Sequence, residues 1–541
     1  MSVSRGATAS ARPGQVPDAM IETRSPETVA TAPRRGAMRQ EEARDLEGTR
    51  SVTLDGARRS VLGLVWAGGL LFVPVVALAA TLHLAAAFGP TLQGLWASFP
   101  ETGRHWLWAG LGFLVIAGAG LIAILRLVRG SREGWLLPLG LALVVVARIA
   151  AIVLVHPPLV SDWLKYYNLA QSVASSGPRF ADVPTGYSIL AAIFFKLFGA
   201  NVLVGELINL AASILMGWLV YRLATQAWGR RAGGLALYLY AVSIAQVLMV
   251  TLFCTEVLFA AGLLAAMAIM LRATKKPGRA GILTALGCGA LLGLSQYVRT
   301  DAELLLPAFL VLPFLAKLPA RTAATLAVAC LVSFLVILGP VVAWNRTTYG
   351  TWSVSTSNFG GWSLLVGTDP QSNGQWNEAD LALLPADTTS RAFNDEAMSL
   401  ALDRLREHPS RLPELAIRKI IPMWGIEDYA AVWTLDSNDP SLADERLAIS
   451  LTSQVMYTGI ALLAALCLWR ERRTRPELLT LIILVVGATA VAHTFVEVQP
   501  RYHFYVEPLL CVLAGGWLAT RIGHDNSTPT ADSAPSLLQA Q

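Results

Sequence analysis

The stretch His156-Pro-Pro-Leu-Val-Ser-Asp162-Trp-Leu-Lys-Tyr-Tyr167 places an acid directly after an apolar run of residues 135–155. Most apolar runs in this chain approach the ~20 residues that an α-helix needs to cross a bilayer, which indicates a polytopic membrane protein. An ionisable side chain at the membrane surface is costly to place and is a functional candidate by default. Asp162 is therefore the first candidate catalytic residue.

The composition supports a membrane protein. Of the 541 residues, 54% are hydrophobic and only 15% are charged, whereas soluble domains carry about 25% charged residues. The net charge of +5 is small, and the basic residues fall in short loops between apolar runs. This distribution is typical of membrane topology and not of nucleic-acid binding. The five cysteines all lie inside apolar runs without metal-ligand spacing, so we interpret them as packing residues.

The sequence predicts an all-α protein with about twelve transmembrane helices and a small extracytoplasmic cap. The helices are predicted near 60–82, 106–128, 135–155, 201–224, 233–250, 254–272, 279–297, 302–318, 322–344, 449–469, 477–495 and 503–521. The run 185–199 is short and is predicted as an interfacial or re-entrant helix. The predicted domains are a disordered cytoplasmic tail (1–55), two N-terminal helices (56–133), a transmembrane core (134–344) with a first outer loop (156–200), a cap segment (345–448), C-terminal helices (449–523) and a disordered tail (524–541).

The distribution of Lys and Arg sets the orientation. One set of short loops holds sixteen of these residues and the alternate set holds three, so the first set is predicted to be cytoplasmic. The first outer loop and the cap segment then lie outside the inner (plasma) membrane. Acids recur at the predicted outer helix ends, level with Asp162: Glu206, Glu256, Asp301, Glu303, Glu497 and Glu507. Either they form one functional layer, or they only stabilise the dipoles of helix N-termini.

A series of short motifs follows this topology in a fixed order. They are Asp162 with Tyr166-Tyr167, Pro184-Thr-Gly-Tyr187, Thr255-Glu256, Gly293-Leu-Ser-Gln-Tyr-Val-Arg299, Trp344-Asn345-Arg346, Gly360-Gly361, His408-Pro409, Lys419 and Glu497-Val-Gln-Pro-Arg501-Tyr502. Over roughly residues 135–520 the chain resembles the GT-C superfamily of polyprenyl-phosphate-sugar-dependent glycosyltransferases. It looks most like the protein O-mannosyltransferase and lipid A aminoarabinose transferase branch.

The resemblance implies transfer of one sugar from a polyprenyl-phosphate donor to an extracytoplasmic hydroxyl, with inversion. Asp162 is then the candidate general base. Arg501, Lys419 and Lys165 are candidate ligands of the donor phosphate, because cations offset the charge of the leaving group. Lys165 could equally snorkel at the interface. Further candidate substrate-binding residues are Tyr166, Tyr187, Glu256, Arg299, Asp301, Glu497 and Tyr502.

Some questions stay open at this level. Members of the superfamily commonly carry an Asp-Glu pair in the first outer loop, whereas here Trp163 follows Asp162. No cofactor is indicated with certainty, and a divalent metal remains an open alternative. The predicted partners are the lipid-linked donor, a lipid, glycan or protein acceptor and membrane lipid, with no nucleic acid.

Arg148, inside a span, either pairs with a neighbouring helix or touches ligand. The alternative functions are a transporter or flippase of lipid-linked sugars, or a polysaccharide polymerase or ligase.

Overall fold

The computed structural model describes residues 34–88, 101–130, 133–276, 278–388, 390–436 and 439–522, and within these ranges all regular structure is helical. The α-helices are α1 Arg34–Phe88, α2 Glu101–Gly130, α3 Leu136–Leu154, α4 Ser161–Ser176, α5 Gly186–Phe198, α6 Val202–Trp228, α7 Arg230–Val242, α8 Ile244–Leu248, α9 Glu256–Ala273, α10 Gly278–Val298, α11 Asp301–Leu315, α12 Ala320–Tyr349, α13 Gly360–Thr368, α14 Glu378–Leu381, α15 Arg391–Glu407, α16 Leu412–Arg418, α17 Tyr429–Thr434, α18 Ala443–Glu471, α19 Glu477–Phe495 and α20 Glu507–Ile522.

Helix length and apolarity confirm the predicted all-helical membrane protein. Among the described residues, nine helical segments are long and apolar enough to cross a membrane. A tenth forms if α7 and the segment Ile244–Thr251, which meet at a 67° bend, count as one span. The predicted spans 302–318 and 503–521 correspond to α11, with 15 residues, and α20, with 16. Both are shorter than the usual ~20 residues, so the count of twelve stays a prediction.

The structure describes part of the first predicted disordered tail and none of the second. Residues 34–55, predicted to be disordered, are helical and form the first part of α1. They lack an apolar period but are rich in Arg and Glu, which have high helix propensity. By its contacts the chain divides into two units after Ala57. Residues 1–33 and the predicted tail 524–541 lie outside the described residues.

Close helix packing in the second unit depends on small residues. A Cβ atom on Gly289 of α10 would meet the carbonyl oxygen of Cys330 in α12 at 1.9 Å. A Cβ atom on Gly515 of α20 would meet the backbone nitrogen of Ala236 in α7 at 2.5 Å. Small residues let helix backbones approach closely where lipid leaves no hydrophobic drive for association.

The bend between α7 and α8 is stabilised by Arg148, a fully buried residue of α3. Its guanidinium donates to the carbonyl oxygens of Tyr240 at 3.1 Å and Ala241 at 2.6 Å, and to the hydroxyl of Ser213 at 3.0 Å. The last carbonyls of a helix have no partner inside the helix and must be satisfied elsewhere. Of the two alternatives for Arg148, the structure thus shows pairing with neighbouring helices.

Short helices α13 to α17 occupy the cap segment, and two of them form its small apolar core. Trp362 of α13 and Phe393 of α15 are both buried, with ring centroids 5.8 Å apart. The segment is tied to residues 495–498, because Glu497 N–H donates to Ser363 O at 2.7 Å and Val498 N–H to Gly374 O at 2.8 Å. These bonds fix α13 beside the turn that carries Arg501.

Candidate active site

A cavity of about 510 Å³ lies between the cap segment and the ends of several helices of the core. Its volume is in the range of ordinary ligand sites. The wall that the core contributes is charged, and the wall that the cap contributes is aromatic. The lining includes Asp162, Lys165, Tyr166, Glu256, Arg299, Asp301, Phe359, Trp362, Trp376, Phe393, Tyr429, Trp433, Glu497, Gln499, Arg501 and Tyr502.

Five side chains on the core wall form a row of alternating charge, which we call the charged row. Arg501 donates to Asp162 at 2.8 Å, and its other terminal nitrogen lies 3.7 Å from Glu256. Arg299 pairs with Glu256 at 2.6 Å and with Asp301 at 2.7 Å. Positions up to 339 residues apart in sequence are thus neighbours. The predicted layer of acids at helix ends is, at these three positions, one connected network.

Asp162 lies in the first turn of α4, behind a residue with unusual backbone geometry. Ser161 has a φ of 51°, a left-handed conformation that costs about 1–3 kcal/mol in a residue other than glycine and clusters at functional sites. The N-cap of α4 is Val160, and no side chain caps the helix. The carboxylate of Asp162 instead accepts from Arg501, so Asp162 does not serve as the helix cap.

Arg501 lies in a 3-10 turn, Pro500–His503, between α19 and α20. Three aromatic rings surround its guanidinium, those of Trp163, Tyr429 and Tyr502, with centroids 5.4–5.5 Å away. Its Nε is buried and has no hydrogen-bond partner among the described residues. Arg501 is thus held in place by rings and carboxylates and keeps one donor for a ligand.

The electrostatics of the pair keep both partners charged. Burial raises the pKa of Asp162, but the Arg501 guanidinium, with Lys165 and Arg299, outweighs it and sets this pKa below its usual value. Burial lowers the pKa of Arg501, whereas the neighbouring Tyr429 and Asp162 raise it, with a net result well above the usual value. At neutral pH Asp162 is therefore ionised, as a general base must be.

The other predicted residues divide into two groups. Tyr166, Glu497, Tyr502 and Lys165 line the cavity. Glu497 accepts from Gln499 at 2.6 Å, and burial raises its pKa. The ammonium of Lys165 lies 5.2 Å from the centroid of the Phe359 ring. Lys165 therefore faces the cavity as a third cation beside the two arginines.

The structure does not bring Lys419 and Tyr187 into this cavity. The Nζ atom of Lys419 donates to the carbonyl oxygens of residues 493, 494 and 496, at 2.9–3.2 Å. Lys419 thus satisfies the end of α19, and its assignment as a phosphate ligand is corrected. Tyr187 is fully buried, packs on Phe253 and donates to the carbonyl oxygen of Gly205. Both errors have one cause, since the sequence indicates a helix but not the direction of the side chain.

Sequence reasoning missed the aromatic wall of the cavity. Trp362, Trp376 and Phe393 come from three separate places in the cap segment, and Tyr429 and Trp433 come from α17. The rings of Trp362 and Trp376 lie 4.7 Å apart at 58°. Composition gave no signal, because the aromatic content of the cap segment is close to the 8% of the whole chain.

The acids of the charged row fit a metal ion poorly. Asp162, Glu256 and Asp301 each already have a guanidinium partner. Among the described residues, no group of three or more His, Cys, Asp or Glu side chains has the geometry of a metal site. The residues present therefore give no reason to route a reaction step through a metal.

The comparisons with known proteins give one family match. Residues 182–344 match the model of the dolichyl-phosphate-mannose-protein mannosyltransferase family. No curated protein matches the chain. The part matched carries Glu256, Arg299 and Asp301 of the charged row.

Two solved structures are also similar. The oligosaccharyltransferase AglB from Archaeoglobus fulgidus, in complex with an inhibitory peptide and a dolichol-phosphate, is 15% identical, with a TM-score of 0.46 over 72% of this chain and 50% of that one. ArnT from Cupriavidus metallidurans, bound to undecaprenyl phosphate, is 15% identical, with a TM-score of 0.35 over 72% of this chain and 79% of that one. The chain thus spans about half the length of the archaeal enzyme. The family match confirms the predicted resemblance to the GT-C superfamily of membrane glycosyltransferases.

Proposed function

We propose that this protein moves a single sugar from a polyprenyl-phosphate donor to a hydroxyl group of an acceptor outside the cytoplasm. The observation that carries the proposal is the contact of Asp162 with Arg501 on the charged wall of the cavity. One substrate placed there meets a carboxylate and a guanidinium together. The matching family's name describes transfer from a dolichyl-phosphate sugar, which supports this class of donor.

The reaction needs one displacement at the anomeric carbon. The acceptor oxygen forms a bond to that carbon while the bond from the carbon to the phosphate oxygen breaks. Asp162 takes the acceptor's hydroxyl proton as general base, and the polyprenyl phosphate leaves with the bonding electrons. One such displacement inverts the configuration of the sugar, through a transition state with oxocarbenium character.

Arg501 is the group best placed to hold the leaving phosphate. A guanidinium can bind a phosphate through two parallel hydrogen bonds and offset the charge that grows as the bond breaks. The unpartnered Nε of Arg501 is a donor for this purpose. Arg299 and Lys165 line the same cavity and add two further positive charges.

The isoprenoid chain of the donor also has a suitable place. A second cavity of about 700 Å³ is lined almost wholly by apolar side chains of α5, α6, α9 and α10. Glu256 begins α9, and Arg299 directly follows α10, so two helices that line this apolar cavity lead to the charged row. The asymmetry of Lys and Arg supports an extracytoplasmic position for the charged row.

Replacing the base is the direct test. Asp162→Asn keeps the shape of the side chain and an oxygen that accepts from Arg501, but removes the proton acceptor. The transfer rate of purified protein is expected to fall about 100- to 10,000-fold, with thermal stability and binding of the polyprenyl phosphate retained. In the wild type, the lowered pKa of Asp162 keeps it ionised, so its protonation should not reduce the rate between about pH 8 and pH 5.

Asp182→Asn is the matched control, because Asp182 belongs to the same outer loop but does not line the cavity. It should transfer sugar at the normal rate. Near-normal transfer by Asp162→Asn would remove Asp162 from the reaction and leave Glu256 or Asp301 as the base.

A further inference from the structure

We propose that the aromatic wall of the cavity is the acceptor subsite and that it takes a neutral carbohydrate. This inference rests on the proposed function, and it names the acceptor class that the function leaves open. The aromatic wall comprises Trp362, Trp376, Phe393, Tyr429 and Trp433, all from the cap segment.

The position of the aromatic wall separates it from the donor. The lipid-linked donor reaches the charged row from the membrane, along the helices that lead to Glu256 and Arg299. An acceptor must come from the opposite side, where Trp376 is 51% exposed while Trp362 is 2% exposed. Trp376 thus marks the mouth and Trp362 the floor of an aromatic path toward the reacting centre.

The chemistry of the aromatic wall suits a sugar. One face of a pyranose ring presents C–H bonds that pack on aromatic rings, and aromatic side chains bury a large apolar area in such contacts. Sugars also carry hydroxyl oxygens that need donors. The indole N–H of Trp362 is buried and has no partner among the described residues, and an unpaired buried donor of this kind is costly unless a ligand satisfies it.

Charge argues against one of the other two acceptor classes, and secondary structure argues against the second. A phosphorylated lipid acceptor would need cations on this wall, and the described residues of the wall carry none. Outside the charged row, Lys165 of α4 is the one cation among the described lining residues of the cavity. A peptide acceptor is often bound by backbone pairing along a strand edge, and the described residues contain no strand. A neutral glycan needs neither feature.

The aromatic wall is also held rigidly enough to select a ligand. A Cβ atom on Gly361 would meet the carbonyl oxygen of Asn394 at 2.1 Å, so α13 and α15 pack backbone against backbone. Gly361 N–H donates to the Asn394 side chain at 2.8 Å. Rigid aromatic rings lose little conformational entropy when a ligand binds.

Ligand-observed NMR on the full-length protein in detergent tests this subsite without any donor. Saturation-transfer difference spectra would be recorded with neutral tetrasaccharides of mannose, glucose and arabinose, and with a Ser/Thr-rich peptide and a phosphorylated lipid A. At least one tetrasaccharide should receive saturation, and Trp376→Ala should weaken its binding about tenfold. Trp352→Ala is the matched control, since Trp352 lies in the same segment, is 77% exposed and does not line the cavity.

The outcomes separate the subsite from the proposed function. Binding of a tetrasaccharide that Trp376→Ala weakens and Trp352→Ala leaves intact supports the carbohydrate subsite. Binding of only the peptide or lipid A, no tetrasaccharide binding, or equal effects of both variants would overturn it. None of these results depends on Asp162 or Arg501, so loss of the subsite leaves the transferase assignment standing.

Discussion

Arg148 is fully buried and the side chain of Arg501 is only 12% exposed, yet the surroundings of these two arginines differ in kind. All three nitrogens of the Arg148 guanidinium donate to backbone carbonyls or a hydroxyl, and Arg148 lines none of the described cavities. Arg501 contacts two carboxylates, keeps its Nε unpaired and lines the 510 Å³ cavity.

The groups around each guanidinium decide whether it can bind a ligand. Carbonyls at a broken helix end need a permanent donor, so Arg148 cannot leave them without exposing unpaired groups in the membrane. Of the two carboxylates beside Arg501, that of Glu256 is also paired with Arg299, and the cavity that Arg501 lines leaves room for an anion. A phosphate can therefore bind Arg501 at little cost, whereas it cannot bind Arg148. Three tests address this contrast.

The largest effect is expected at Arg501. Arg501→Ala removes the charge that offsets the leaving phosphate, and the transfer rate should fall about 100- to 1000-fold. Binding of polyprenyl phosphate, measured by microscale thermophoresis, should weaken as well. Arg501→Lys should recover only part of both, because an ammonium lacks the planar fork of the guanidinium.

Arg404→Ala is the matched control for Arg501→Ala. Arg404 also pairs with a buried acid, Asp380, at 2.6 Å, but within the cap segment and away from the cavity. Its loss should cost stability and leave phosphate binding unchanged. Equal phosphate binding by wild type and Arg501→Ala would show that Arg501, like Arg148, takes no part in phosphate binding.

The sequence was sufficient to find the charged row. Asp162, Glu256, Arg299 and Arg501 each lie beside the end of an apolar run, and the topology brings such ends to one level. Side-chain direction was not accessible in the same way. Lys419 directly follows α16, and its Nζ atom donates to carbonyl oxygens at the end of α19. No periodic pattern in the short helix α16 predicts this direction.

The aromatic wall was beyond prediction for a related reason. It depends on the packing of α13 on α15 and on the bonds of the cap segment to residues 497 and 498. These contacts join distant parts of the chain. The cap segment has no transmembrane run, so its sequence does not predict which of its residues meet. The positions of the transmembrane helices therefore predict the charged wall of the cavity, whereas the aromatic wall is visible only in the folded cap segment.

The second test concerns Arg148, whose loss should reduce stability without a specific loss of binding. Arg148→Met leaves the carbonyls of Tyr240 and Ala241 without their donor, and each buried unsatisfied group costs about 1–3 kcal/mol. The melting temperature in detergent should fall sharply. Folded protein recovered by size exclusion should still bind polyprenyl phosphate with the wild-type Kd.

Arg222→Met is the control for Arg148→Met, since Arg222 is an exposed arginine on α6 that lies over the ring of Trp218. Its melting temperature should stay close to that of the wild type. If Arg148→Met melted normally but lost phosphate binding, Arg148 would be a ligand-binding residue and the contrast with Arg501 would fail.

The smallest effects are expected for two lysines, and they should be opposite in kind. Lys419→Met removes the donor of three carbonyls at the end of α19, so the free energy of unfolding should fall by about 1–3 kcal/mol while the Kd for polyprenyl phosphate stays unchanged. Lys165→Met removes a cation from the cavity and should weaken that Kd about three- to tenfold with no change in melting temperature. Because both variants make the same substitution, each is the control for the other. The reverse pattern, with phosphate binding lost in Lys419→Met and kept in Lys165→Met, would return Lys419 to the phosphate site and contradict the positions of both side chains.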